Sequence, residues 1–122
     1  MKEYFFDTYA IIELIKGNPK YEFVKDSTII TGVMNLAEVY YALLLENKEE
    51  KTDLIIKNLN FQLLNISSDT AIQGALFRYK NKKANFSYID SVGYILALGN
   101  NLIFLTGDKE FENLENVEFV KK

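Results

Sequence analysis

The 122-residue chain has no cysteine, no histidine and no tryptophan, and only one proline, Pro19. Without cysteine there is no disulfide framework, no thiol nucleophile and no sign of secretion. Without histidine, Ser-His triads and His-based ribonuclease chemistry are excluded. Structural zinc of the Cys/His type is excluded with them. Any enzyme built from this chain must work with carboxylates, hydroxyls, lysine or arginine. Hard oxygen ligands of that kind suit Mg²⁺ or Mn²⁺.

Long apolar runs are missing too. None approaches the roughly 18 residues that a membrane span needs, so no membrane association is expected. The segment MKEYFFDTYAIIELIKG is broken by Glu3, Asp7 and Glu13 and has no small-residue cleavage site, so it does not read as a signal peptide. A cytoplasmic protein is the expectation. An excess of positive charge is also absent. Lys and Arg number 14 against 17 Asp and Glu, for a net charge of −3. That argues against coating nucleic acid by bulk charge. It leaves room for a local basic patch, or for an acidic site neutralised by metal.

There is no linker, repeat or low-complexity stretch, so residues 1–122 read as one domain. At 48% hydrophobic and 25% charged, the chain can bury a core. Strands and helices alternate. Strands are predicted at Tyr4–Phe6, Thr28–Val33, Gln62–Ile66 and Leu102–Thr106, with an edge strand at Val117–Val120. Helices are predicted at about Thr8–Lys16, Leu36–Glu46, Glu49–Asn60, Asp69–Asn81 and Tyr88–Leu98. Short helical turns are predicted at Pro19–Asp26 and Lys109–Leu114. Leu102–Thr106 is continuously apolar, as a strand buried on both faces must be. The alternation predicts an α/β sandwich on a parallel sheet, whose ligand site lies outside the carboxyl ends of the strands.

Four acids stand near those ends. Asp7 follows the first strand in FFDT, and Asp108 follows the buried strand in LTGD. Glu38, in NLAEVYYALL, and Asp90, in SYIDSVG, fall in the first turns of their predicted helices. Singly, each has a local explanation. Asp7 and Asp108 suit helix caps, while Asn35/Glu38 and Ser87/Asp90 have capping-box spacing. Together they predict a shared pocket. No lysine or arginine lies between Lys83 and Lys109, so Asp90 has no nearby basic partner in sequence. Four converging carboxylates cannot all stay ionised unless cations offset them. A divalent-cation site meets that requirement.

In this order and spacing, FFDTYAIIELIKG, NLAEVYYALL, YIDSVGYILAL and LIFLTGDKEF resemble a PIN domain, and more narrowly the short PIN-domain toxins of the VapC type. The resemblance covers nearly the whole chain. It implies a three-layer α/β/α sandwich with a central, mainly parallel sheet. It implies a metal-dependent endoribonuclease, the toxin of a toxin–antitoxin pair, held silent by a cognate antitoxin. By motif match it places Asp7, Glu38, Asp90 and Asp108 on the family's acidic metal positions, with Thr106 as a positioning hydroxyl. Homodimers are expected from the same likeness. Tyr9 departs from the more frequent Asn or Ser, and Asp90-Ser91-Val92-Gly93 from a more usual Asp-Ala. Neither departure removes an acid.

Chemistry without histidine favours a water activated by one or two divalent ions, which leaves a 5′-phosphate and a 3′-OH on cleaved RNA. Asp7, Asp90 and Asp108 are expected to hold metal directly, and Glu38 directly or through water. Arg78, Lys80, Lys82 and Lys83, in FRYKNKKANF, form the densest basic cluster and are expected to meet RNA phosphates. They also suit a solvated helix end. Tyr79 and Tyr88 are candidate stacking rings, and Phe86 reads as core. The apolar run Val39–Leu45 exceeds what one helix face can bury, which points to self-association or an antitoxin groove. Two other enzyme classes fit poorly. A receiver-type phosphoacceptor needs adjacent acids after the first strand. A haloacid-type phosphatase needs an Asp where Tyr9 stands. A catalytically inactive PIN-like scaffold for RNA or a partner remains the alternative.

Overall fold

Two apolar strands cross the middle of the sheet, and their side chains alternate between its faces. In β1 (Tyr4–Phe6), Phe5 points one way and Phe6 the other. In β4 (Ile103–Thr106), Phe104 and Leu105 do the same. All four are buried, and each contributes about 2 kcal/mol of hydrophobic stabilisation. The computed structural model, which describes residues 2–122, adds β2 (Ile29–Gly32), β3 (Phe61–Leu64) and β5 (Val117–Phe119). The strand order is β3-β2-β1-β4-β5, and every neighbouring pair is parallel.

Helices cover both faces. On one, α1 (Thr8–Ile15), α2 (Val33–Leu44) and α3 (Glu49–Lys57) pack Ala10, Ile11, Val39, Leu43 and Ile55 onto Phe6, Ile29 and Leu105. On the other, α4 (Ser68–Lys80) and α5 (Tyr88–Gly99) cover Phe5, Ile30 and Phe104, with Tyr94, Leu96 and Ala97 innermost. The Phe5 and Phe104 rings stack with centroids 5.7 Å apart. Helices α4 and α5 lie very close at Gly74, where an added Cβ would stand 2.6 Å from a Val92 methyl. The result is the expected three-layer α/β/α sandwich. No helix among the described residues is long and apolar enough to cross a membrane.

The strand order sets the site. From β1 the chain builds outward through β2 and β3, then returns to place β4 on the other flank of β1. Such a reversal opens a crevice at the carboxyl ends of β1 and β4.

One boundary differs instructively from the sequence reading. Helix α2 begins at Val33, not Leu36, and β2 ends at Gly32, which caps the helix through extended backbone with no side-chain bond. Val33 and Met34 are apolar and look like a continuing strand, which hid the start. Glu38 therefore lies in the second turn, and a capping box with Asn35 is ruled out.

Helix α2 also leaves apolar surface outside. Val33, Met34, Tyr41, Leu44 and Leu45 are exposed. A hollow of about 560 Å³ beside them is lined by Leu36, Tyr40, Tyr41, Leu44 and Ile56 among others.

Candidate active site

Asp7 is the residue after β1, and it is 3% exposed. It stands at the N-cap position of α1 but makes no side-chain cap. Its carboxylate turns instead to β4, where the Thr106 hydroxyl donates to Asp7 Oδ2 at 2.7 Å. The same Thr106 oxygen accepts the backbone N–H of Asp108 at 3.0 Å. Asp108 Oδ1 in turn accepts from the Glu110 N–H, capping a short 3₁₀ turn at Lys109–Phe111. Asp108 thus does serve as a cap.

Asp90 does so as well. Its Oδ2 accepts the Ser87 N–H at 2.9 Å, while Ser87 Oγ accepts the Asp90 N–H at 3.0 Å. This is a complete capping box at the start of α5. One Asp90 oxygen, Oδ1, is left outside that pairing. Glu38 is fixed differently. Its Oε1 accepts from the Thr8 hydroxyl at 2.6 Å, and Thr8 Oγ1 accepts from Asn35 Nδ2 at 3.1 Å. Asn35 is buried one turn before Glu38 on α2.

Thr8 escaped the sequence reading, and Asn35 entered it only as a cap paired with Glu38. The available signals were Thr8's place directly after Asp7, and Asn35's i, i+3 spacing to Glu38, which puts both on one helix face.

The acids share one electrostatic environment. Burial pushes the Asp7 carboxyl up to about 7, against the Thr106 hydrogen bond, and the negative charges of Asp90 and Asp108 add to the rise. Burial also raises Glu38, with Asp90 contributing, and raises Asp90, with Asp108 contributing. The ion pairs among the described residues are Lys2–Glu118 and Lys25–Glu22, and neither touches these acids. The four acids therefore stand with no basic side chain paired to them. As placed, however, no three acidic side chains among the described residues stand close enough together to form a ready-made metal cage.

The turn that carries Asp108 is tightly held. An added Cβ on Gly107 would lie 2.2 Å from the Tyr9 ring and 2.6 Å from the Val120 carbonyl oxygen. Only glycine fits there. The Tyr21 hydroxyl holds that same carbonyl at 2.7 Å. Tyr9, the unusual residue of the first motif, is thus a packing wall for LTGD.

The basic cluster is split. Arg78 Nε donates to the Phe86 carbonyl at 2.9 Å, and its guanidinium lies over the Tyr88 ring. Lys80, Lys82 and Lys83 are exposed. Phe86 is core, as expected, while Tyr79 and Tyr88 are exposed. A cavity of about 920 Å³ between α1, α2 and α3 touches none of the four acids.

A family model described as PIN domain matches residues 4–117. The chain belongs to the PIN-domain family. Several solved structures share the PIN fold of this chain. A toxin–antitoxin complex from Klebsiella pneumoniae superposes with a TM-score of 0.75 at 19% identity, covering 98% of this chain and 100% of the other. VapBC2 from Rickettsia felis, bound to a DNA fragment from its promoter, gives 0.73 at 20% identity, covering 97% of both. VapC20 from Mycobacterium tuberculosis, a toxin cleaving the sarcin–ricin loop, gives 0.77 at 13% identity, covering 98% of this chain and 100% of the other. Among curated proteins, none matches the sequence significantly.

Proposed function

We propose that this PIN domain is a divalent-metal-dependent endoribonuclease acting in the cytoplasm, and the toxin of a toxin–antitoxin pair. The observation that carries the reading is the cluster at the β1/β4 crevice, where burial raises the Asp7, Glu38 and Asp90 carboxyls, the charges of Asp90 and Asp108 add to the rise, and no basic side chain is paired with any of the four acids. The donor set suits Mg²⁺ or Mn²⁺: hard oxygens, several charges, no soft ligand. Asp7, Asp90 and Asp108 are the proposed direct ligands, with Glu38 direct or through water.

When bound, the ion offsets charge on the phosphate and acidifies water. The chain supplies the rest. Thr106 holds Asp7 and the Asp108 backbone in one arrangement. Thr8, steadied by Asn35, holds Glu38 Oε1 and leaves Oε2 to take a proton from the attacking water. Asn35 and Thr8 are positioning residues in this scheme.

The partner reading rests on the likeness to toxin–antitoxin complexes and on the exposed apolar side of α2. A second copy and an antitoxin are the proposed occupants of that side.

The rival is a non-catalytic scaffold. It draws on the separation of the acids and on the capping done by Asp90 and Asp108. One set of proteins separates the two readings. Wild type, Asp7→Asn and Asp90→Asn are assayed on total RNA with Mn²⁺, and their melting is followed with and without the ion. A nuclease cleaves, gains stability from Mn²⁺, by about 2.7 kcal/mol at a hundredfold excess over Kd, and loses both properties in the variants. A scaffold of caps does neither. Wild-type cleavage by a folded Asp7→Asn protein would overturn the assignment.

A further inference from the structure

The end of α4 and the loop into α5 form a second feature that the acidic pocket does not use. A hollow of about 340 Å³ is lined by Arg78, Tyr79, Lys82, Asn85, Phe86 and Tyr88. Tyr79 and Tyr88 are 67% and 62% exposed, whereas neighbouring Phe86 and Tyr94 are 5% and 3%. Core packing therefore does not account for the two tyrosine rings.

Each exposed ring carries a cation. The Arg78 guanidinium carbon lies 4.4 Å from the Tyr88 centroid, and Lys82 Nζ lies 5.0 Å from that of Tyr79. Contacts of this kind tie a positive charge to a flat apolar surface. The bond to the Phe86 carbonyl fixes the Arg78 fork at Nε only, so most of its five donors remain available. Neither Arg78 nor Lys82 is in an ion pair among the described residues.

The position is equally informative. Tyr88 stands two residues before Asp90. It also walls an apolar hollow of about 220 Å³ with Met34, Asn35, Ile66 and Val92. Asn35 is the residue that holds Thr8 in the acidic pocket. Tyr88 is thus a ridge between the basic hollow and the margin of that pocket.

We propose that the Arg78–Tyr79–Lys82–Tyr88 hollow is a nucleobase subsite for single-stranded RNA. An unpaired base stacks on the tyrosine faces, and Arg78 and Lys82 meet the adjoining phosphates. The inference rests on the ribonuclease reading for its substrate. Rings select an unpaired base, because a duplex keeps its bases stacked inside and offers a groove and phosphates instead. An acidic peptide would use the two cations but leave the rings without a role.

The test is binding of a short labelled single-stranded RNA to the full chain in EDTA, read by fluorescence anisotropy across a salt series. Tyr79→Ala and Tyr88→Ala should each weaken binding about tenfold, with the salt slope unchanged. Tyr79→Phe should bind like wild type, which separates loss of the ring from loss of the hydroxyl. Lys82→Ala should reduce the salt slope by about 0.7. A blunt-ended, fully paired RNA duplex should ignore both tyrosine changes. Wild-type affinity in folded alanine variants overturns the subsite, as does an equal loss for the duplex. Unchanged RNA binding with lost capture of a polyglutamate peptide overturns it in favour of an acidic protein partner. The nuclease reading fails separately: a wild type that binds RNA through these rings but never cleaves it with Mn²⁺ keeps the subsite and loses the enzyme.

Discussion

The Thr106 hydroxyl donates to Asp7 Oδ2 at 2.7 Å and accepts the Asp108 N–H at 3.0 Å, so one oxygen sets two acids from opposite ends of the chain. Thr106→Val keeps the shape and removes both bonds. It leaves a buried carboxyl without its donor, which costs about 1–3 kcal/mol. Urea denaturation should show that loss, and RNA cleavage should fall at least about tenfold, since each 1.4 kcal/mol of lost transition-state stabilisation is tenfold in rate. Thr106→Ser should keep most of both. A Thr106→Val protein that cleaves like wild type would remove Thr106 from the site.

Asp7 makes a pH prediction for the metal-free protein. Burial pushes its carboxyl up to about 7 in the fold, against an ordinary 3.8. The fold therefore prefers the protonated acid. The preference is fully present below pH 3.8 and is lost progressively as pH rises towards 7. Glu38 and Asp90, also raised, act in the same direction. Asp7→Asn keeps an acceptor for Thr106 and removes the charge. In EDTA it should be more stable than wild type at pH 8, by up to about 4 kcal/mol, and nearly equal at pH 4, while losing cleavage. Thermal melts at the two pH values decide it. An Asp7→Asn protein no more stable at pH 8 would contradict the cause assigned to the shift.

Much of this site could be read from the chain because its signals are local. Continuous apolar strands mark the sheet, and acids directly after them mark its edge. Asp7 and Asp108 needed little more. Glu38 was read in the first turn of its helix and stands in the second. Its helix starts three residues earlier than read, because Val33 and Met34 look like strand and Gly32 caps without a side chain. The contact of Thr8 with Asn35 and that of Tyr9 with the Gly107 turn had no pairing signal in the sequence. Each joins segments that meet only after the sheet forms, and no periodicity encodes such a meeting. Capping, offered as the bland explanation for all four acids, holds for Asp90 and Asp108 and fails for Asp7 and Glu38.

Thr52 offers a stability test far from the chemistry. It is fully buried on α3, and its hydroxyl has no hydrogen-bond partner. Thr52→Val keeps the branched shape and removes the unmet group. It should stabilise the protein by about 1 kcal/mol, visible as a melting temperature a few degrees higher with unchanged cleavage. A lower melting temperature would mean that the hydroxyl is satisfied in solution.

The exposed side of α2 predicts an oligomer. Tyr41 is 65% exposed and Leu45 70%. The wild type should run as a dimer in gel filtration with light scattering at micromolar concentration. Tyr41→Glu with Leu45→Lys should run as a monomer of unchanged helix content. A monomeric wild type would assign this surface to the antitoxin alone.

The strand order has a kinetic consequence. Asp7 and Thr106 are 99 residues apart in sequence, yet they meet across adjacent parallel strands. Closing so long a loop carries an entropic cost, and topologies rich in such contacts fold more slowly. A partly folded chain therefore carries all four acids without carrying the pocket. Local opening between β1 and β4 would separate Asp7 from Thr106 in one step. The arrangement of Asp7 and Asp108 about Thr106 is a property of the finished sheet, not of any one segment.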